Sequence, residues 1–456
     1  MPFRGNSFDR IVSGLPDQRS RIACGTHRKE DGMVEAQLVV FEDAGWRDLL
    51  PLCYWRAAFD LRCGAESLLE RIERRQSARA VIFARPELAD VLRGRQDRDV
   101  NCASDTRSVL FVNGRALLQE SLDLPLGSAV WWGSSPERDP VLLAAHVQPA
   151  IAARLSPEIL LDSARTRAAL EDVATAPINA LAAELIQAPW DLVRHNPAAL
   201  RQHADDLPRR PLPPMNGVHV LNQTAVHIAA DAVIKPGVVL DAESGPIIIA
   251  ESARISPNVT IQGPAYIGRQ TLVQPGAVIR EATSIGACCK VGGEIEGTII
   301  HGYSNKQHHG FLGHAYVAEW VNLGAGTCNS DLKNTYGSIR VALTGTAVDT
   351  RQMFVGSFIA DHAKTAINVA LPTGAVVGFA SNVIVSRFAE KFTPSFSWCT
   401  DDGRTRYDPA RALDVARKVM ARRMVKMSAA EEVLFMHLAQ LAATIERTND
   451  VGSGGD

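Results

Sequence analysis

Four histidines, His301, His308, His309 and His314, fall within HGYSNKQHHGFLGHAYVAEWVNLGAGTCNSDLKN, residues 301–334. Imidazole titrates near neutrality and can take a proton from an attacking amine or hydroxyl, the basic requirement of acyl transfer. The glycines of LGAGT would let a narrow cofactor arm lie against the backbone, whose free N–H groups could hold an acyl carbonyl. A second reading of the same histidines is that each caps a turn and satisfies backbone groups. A third is metal ligation, since His309 and His314 are five apart.

Such residues need a frame. Aliphatic residues recur every six positions at Ile249, Ile255, Ile261, Ile267, Val273, Ile279, Ile285 and Val291. Neither an α-helix nor an alternating strand has this period, whereas a left-handed parallel β-helix places one inward residue on each six-residue side of a triangular coil. Two positions before each inward residue stands a small or β-branched one (Ala253, Val259, Ala265, Thr271, Ala277, Thr283), as a tight corner demands. The beat starts earlier, at Ile228, Ile234 and Leu240, and returns as Met353, Ile359, Thr365, Leu371, Val377 and Val383. Two coiled stretches are therefore expected to flank an irregular insert that holds the histidines. A β-helix that binds zinc, as gamma-type carbonic anhydrases do, needs a third ligand about one coil upstream. Gly286 and Cys289 stand there, and no histidine does.

The 456 residues, with net charge −2 and pI near 6.6, offer no field for a polyanion, which argues against nucleic acid as a partner. The eight cysteines form no CxxC pair and read as reduced cytoplasmic thiols, and no run of eighteen apolar residues suggests a membrane span. Residues 1–35 are polar and without period, an N-terminal extension. From 36 to 200, apolar runs (LVVF, AVIFA, VLFVNG, AVWW) alternate with helical stretches such as ESLLERIERR, which predicts a parallel sheet with covering helices in an α/β domain. A linker rich in proline follows over 201–215, then the β-helix over 216–388. The remainder, 389–456, opens irregularly at FTPSFSW and continues as a helical tail. There Asp408-Pro409 starts one helix and Ser428 with Glu431 makes a capping box for the next.

The stretch HHGFLGHAYVAEWVNLGAGTCNSDLKN resembles the acetyltransferase half of the bifunctional N-acetylglucosamine-1-phosphate uridyltransferase/glucosamine-1-phosphate acetyltransferase family. The resemblance implies that His308 is the catalytic base, that Ala325 and Asn329 line the acetyl-CoA and sugar site, and that Ser357 is another coenzyme contact. Phe311 stands where the family has a sugar-contacting tyrosine, and His314 stands for its aspartate. The family's lysine pair is missing near Glu294 to Gly297, and its arginine is replaced by Gln274. Those positions hold the sugar phosphate, so the acceptor is open to differ from glucosamine 1-phosphate.

The N-terminal half is similar to divergent sugar nucleotidyltransferase domains over LVVFEDAGWRDLLPLCYWRAAFDLRCGAESLLERI. The resemblance implies nucleotide or phosphate contacts at Asp43, Gly45, Arg47, Arg56, Arg62 and Asn113. Ala57 and Ala58 replace a lysine, and Arg115 stands where a magnesium-binding aspartate is expected. The family carries magnesium for nucleotidyl transfer, acetyl-CoA as co-substrate and a homotrimeric assembly. The expectation is a sugar-nucleotide enzyme that acetylates an amino sugar 1-phosphate and joins a sugar 1-phosphate to a nucleotide from UTP, releasing pyrophosphate. Two alternatives stay open: an acyltransferase with a non-catalytic sugar-phosphate-binding N-terminal domain, and a nucleotidyltransferase with a purely structural, trimerising β-helix.

Overall fold

The computed structural model describes residues 36–446 except 104–105, 126, 136–137 and 177–181; the expected extension over 1–35 lies outside the described residues. The first apolar run becomes strand β1 (Gln37–Phe41), flanked in parallel by β2 (Val81–Phe83) and β3 (Val109–Asn113). Side chains of β1 alternate between two cores. Leu38 and Val40 join one, and Val39 and Phe41 the other, so the sheet is buried on both faces as an α/β layer requires.

The expected all-parallel sheet is corrected at its far edge. Strands β4 (Ala129–Ser135) and β5 (Arg138–Val147) complete the order β2-β1-β3-β5-β4, with β5 antiparallel to both of its neighbours. The connection between β4 and β5 is far too short for a parallel crossover. Helix α1 (Leu68–Gln76) opens on a capping box in which the Glu70 N–H donates to the Ser67 hydroxyl and the Ser67 N–H to the Glu70 carboxylate. Helices α2 (Pro86–Arg95) and α3 (Pro189–Asp205) both start on proline, whose missing N–H costs nothing in a first helical turn.

From His219 the chain winds into a parallel β-helix with one sheet on each of three sides. The aliphatic beat from Ile249 to Val291 points inward throughout, and its members are enclosed from solvent. Paired strands are twenty or twenty-one residues apart in the first turn, as in His219 with Val239 and Val226 with Ile247, and eighteen apart in the next, as in Ile249 with Ile267 and Ile267 with Ile285. The turn then tightens. Ile285 pairs with Ile300 and Val291 with Lys306, fifteen residues on, and Ile295 with Leu312, seventeen on.

The stretch 301–334 is therefore largely coil, and the expectation of an irregular insert there is corrected. The excursion is a hairpin (Arg340–Ala342 with Ala347–Asp349) closed at its foot by a bridge between Leu332 and Phe354. It lengthens one turn to forty-two residues, so that Val317 pairs with Ile359. Met353 belongs to this excursion and is exposed rather than inward. Strand pairing then continues to Arg406, using FTPSFSW in the last turn.

Helices α4 (Pro409–Ala421) and α5 (Ala429–Ile445) start where their caps predict. The Asp408 carboxylate accepts from the Arg411 N–H at 2.8 Å, and the Ser428/Glu431 box closes at 2.7 and 3.2 Å. Among the described residues no helix is long and apolar enough to cross a membrane.

The outer face of the nine-stranded side of the coil is not solvated. Ile299, Tyr316, Ala318, Trp320, Phe358 and Val376 share one core with the α/β domain and with α5. Polar bonds stitch the same seam. The Arg62 N–H donates to the Tyr316 hydroxyl at 3.0 Å, the Ser284 hydroxyl to the Gly64 carbonyl at 2.6 Å, and the Asn196 amide to the Ala282 carbonyl at 2.6 Å.

Candidate active site

The short strands of one coil face, β6 (Val278–Ile279), β7 (Glu294–Glu296) and β8 (Phe311–Gly313), are followed by β9 (Cys328–Asn329), which pairs with β10 (Ala370–Leu371). Alternation fixes what each presents. Leu312 points inward on Ile295, so Phe311 and Gly313 face out beside Glu294 and Glu296.

His308 sits on the exposed corner before β8, and its ring makes no hydrogen bond or ion pair among the described residues. The corner is anchored from within. Lys306 falls on the inward beat between Ile300 and Leu312, and its ammonium donates to the His308 carbonyl at 2.7 Å and the Gly292 carbonyl at 3.1 Å. Burial pushes the Lys306 ammonium down to about 8. Sequence reasoning passed over Lys306, although the spacing 300, 306, 312 marks it as inward.

The LGAGT bend lies against this corner, with the Gly326 N–H donating to the His309 carbonyl at 3.1 Å. The Gly324 N–H is bound to Thr365 at 3.0 Å, whereas the Ala325 N–H has no partner among the described residues. A free amide next to a histidine corner suits an acyl carbonyl, and in this respect the residues fit a thioester co-substrate. Asn329 serves the frame instead of the surface. Its buried amide accepts from the Gly313 N–H and donates to the Gly313 carbonyl, both at 2.8 Å. Ser357, expected as a coenzyme contact, is fully enclosed and its hydroxyl is unpaired among the described residues.

At the far end of β8, His314 Nδ1 donates to the Asp331 carboxylate at 2.8 Å. Phe354 packs on the imidazole with ring centroids 5.4 Å apart. Phe311 and Asp331 both lie over Gly313, where a Cβ would collide with each. Thus the Phe311 ring lies beside the His314–Asp331 pair on this face. His301 belongs elsewhere. It is bound to the Tyr316 hydroxyl at 3.0 Å in the seam, and burial with nearby Arg56 and Arg62 drives its pKa well below the usual range, leaving the ring neutral.

In the α/β domain the expected phosphate contacts are engaged with protein partners. Asp43 receives Arg115 through Nε at 2.7 Å and Nη2 at 2.6 Å, Asn113 at 3.0 Å and the Gly45 N–H at 3.2 Å. Burial opposes the Asp43 charge, and Arg115 with these bonds outweighs it, holding the carboxyl below the usual range. The Arg115 guanidinium also fills the space over Gly45. Arg56 is buried and pairs with Asp361 and, at 3.2 Å, with Glu319 of the coil. Arg62 donates to the Ala65 carbonyl at 2.6 Å and lies over Tyr266, and exposed Arg47 rests on Trp46. All of Leu49–Phe59 is buried. Magnesium is a poor fit to this arrangement. Both oxygens of Asp43 are committed to a guanidinium, and no group of three or more His, Cys, Asp or Glu able to hold a metal ion occurs among the described residues.

Residues 38–210 match the family model described as sugar nucleotidyl transferase. The match covers less than half of the 456 residues. Among curated relatives, the bifunctional sugar-1-phosphate nucleotidylyltransferase/acetyltransferase of Sulfurisphaera tokodaii is 32% identical over 136 residues, 29% of this chain and 34% of the relative. The bifunctional protein GlmU of Heliobacterium modesticaldum is 29% identical over 180 residues, 36% of each chain. The matches thus span about a third of the length of these relatives. A solved UDP-N-acetylglucosamine acyltransferase from Arabidopsis is 10% identical, covering 50% of this chain and 91% of that one, with a TM-score of 0.22. The assignment of the β-helix rests on its own strand pairing.

Proposed function

We propose that this chain is a transferase of sugar-nucleotide biosynthesis. Its β-helix moves an acetyl group from acetyl-CoA to an amino sugar, and its α/β domain serves nucleotidyl transfer to a sugar 1-phosphate, with glucosamine and UTP as the first substrates to try. The observation that carries the acyl-transfer half is the exposed His308 corner packed against a bend whose Ala325 N–H is free. The acceptor nitrogen attacks the thioester carbonyl carbon and His308 takes its proton. The oxyanion is received by the Ala325 N–H, and the C–S bond breaks as the proton passes to the departing sulfur. Lys306 keeps the His308 backbone in register for this step. The nucleotidyl half is supported by the family of residues 38–210 and by the names of the relatives.

A second reading is favoured by the Asp43–Arg115 pair and the burial of Leu49–Phe59: the α/β domain binds a sugar phosphate without turning it over. A cytoplasmic homotrimer completes the proposal. It is supported by seven free cysteines among the described residues and by the strongly exposed apolar residues Ile367 and Phe388 on the coil.

The test is mass spectrometry of the full chain incubated with glucosamine, glucosamine 1-phosphate, acetyl-CoA, UTP and magnesium, beside His308→Ala. An acetylated sugar together with a uridine diphosphate sugar is expected, and the variant should lose only acetylation. Acetylation alone selects the second reading. Neither product from the wild type overturns both.

A further inference from the structure

The His314–Asp331 pair is not needed by the chemistry assigned to His308, and it is built as more than a corner staple. Asp331 can only accept, so Nδ1 carries the proton in the bond between them, and in the neutral ring Nε2 is left as an acceptor. Nε2 has no partner among the described residues, and the ring lies against Gly297, where a Cβ would come within 3.0 Å of Cδ2 and 3.1 Å of Nε2. Phe354 covers one side of the imidazole, and the Phe311 ring reaches across Gly313 to Asp331. Strand β8 separates this pair from His308. Three residues of strand are about 10 Å long, a reach that one pyranose with its substituents can span while resting on Phe311.

The charge on the same face limits what can lie there. Arg280 is spent on Glu296 at 2.8 Å, Glu294 at 3.5 Å and Glu281 at 3.9 Å. With Asp331, four carboxylates therefore stand against one guanidinium. Their crowding shows in Glu296. Burial first, then Glu281 and Asp331, push its pKa up against the opposing pull of Arg280 and His314. A phosphate dianion at this end would face uncompensated negative charge, whereas a protonated amine or a neutral hydroxyl would be accommodated.

We propose that His314, oriented by Asp331, selects the acceptor by accepting a hydrogen bond from a sugar hydroxyl on Nε2, and that the surrounding carboxylates confine the acceptor to an amino sugar bearing no phosphate at that end. This rests on the acyl-transfer reading above. His314 is thereby a specificity residue of the acyl-transfer site, and the proton leaves through His308. If the α/β domain uses a sugar 1-phosphate, a phosphorylating reaction must lie between the two steps.

The experiment is steady-state acetylation by the full chain of glucosamine against glucosamine 1-phosphate, for the wild type, His314→Asn and Glu296→Lys. Asparagine suits the positive φ of 46° at this corner and can still donate to Asp331, so the fold is kept; thermal melting checks it. The wild type should favour glucosamine in kcat/KM by about tenfold or more, the scale of one like-charge encounter near a protein surface. His314→Asn should raise the KM for glucosamine about tenfold, as expected for one lost hydrogen bond, with a much smaller change in kcat. Glu296→Lys should shift preference toward the phosphorylated sugar. A wild type that prefers glucosamine 1-phosphate, or a His314→Asn enzyme with unchanged KM, overturns the assignment while leaving the acyl-transfer reading in place. A folded wild type that acetylates neither sugar removes the reading and the assignment with it.

Discussion

At the scale of single residues, the least expected feature is an ammonium inside a β-helix. Lys306 occupies a place that aliphatic residues hold in neighbouring turns, and two carbonyls satisfy it. Its pKa is near 8 in the fold against an ordinary 10.5, so the unfolded chain binds the additional proton between those values. Stability contributed through this group is therefore lowest below about pH 8 and rises toward pH 10.5, by up to about 3 kcal/mol. Lys306→Met, which nearly conserves volume, should flatten that rise in urea melts taken from pH 7.5 to 10.5. It should also slow acetylation about tenfold, because the His308 carbonyl loses its donor. An unaltered pH slope would show that the ammonium is hydrated rather than enclosed.

At the scale of elements, Glu66 ties the strand before α1 to α1 itself and to α3. It receives Arg74 at 2.9 and 2.6 Å, with His203 3.5 Å away. Burial works against its charge, and the hydrogen bonds from Arg74 with the nearby His203 ring outweigh burial, holding the carboxyl down at about 2. The unfolded chain protonates it near 4.5, so the stability it supplies is complete above that pH and is lost as the pH falls toward 2. Glu66→Gln should cost on the order of 3 kcal/mol at pH 7 and very little at pH 2, read as a thermal shift that closes on acidification. The aliphatic beat made the coil legible because each inward position reports directly on packing. The stretch 301–334 reads as irregular in the sequence because turns shortened to fifteen and seventeen residues break a six-residue count while keeping the sheet register. The His314–Asp331 pair was legible in principle, since a separation of seventeen residues is one such turn. The commitments of Arg56 and Asp43 were not, because their partners Asp361 and Arg115 are set by tertiary packing and follow no local period.

At the scale of the whole molecule, the α/β domain, the coil and the terminal helices share one core. Trp55 packs against His362, Phe379 and Phe435, which brings together residues from all three parts. Residues 216–446 expressed without the α/β domain would expose Tyr316, Trp320 and Phe358, so that fragment should aggregate, while the full chain melts in a single calorimetric transition. Two well-separated transitions, or a soluble and folded fragment, would contradict this. The full chain should elute as a trimer in light scattering. The burial of Leu49–Phe59 bears on how relatives of this chain are compared. Packing alone would preserve PLCYWRAAF through descent even after nucleotide chemistry was lost, since every one of these side chains has neighbours to satisfy. The informative positions for tracing nucleotidyl activity among relatives then lie outside this run, beginning with whether an arginine stands opposite Asp43.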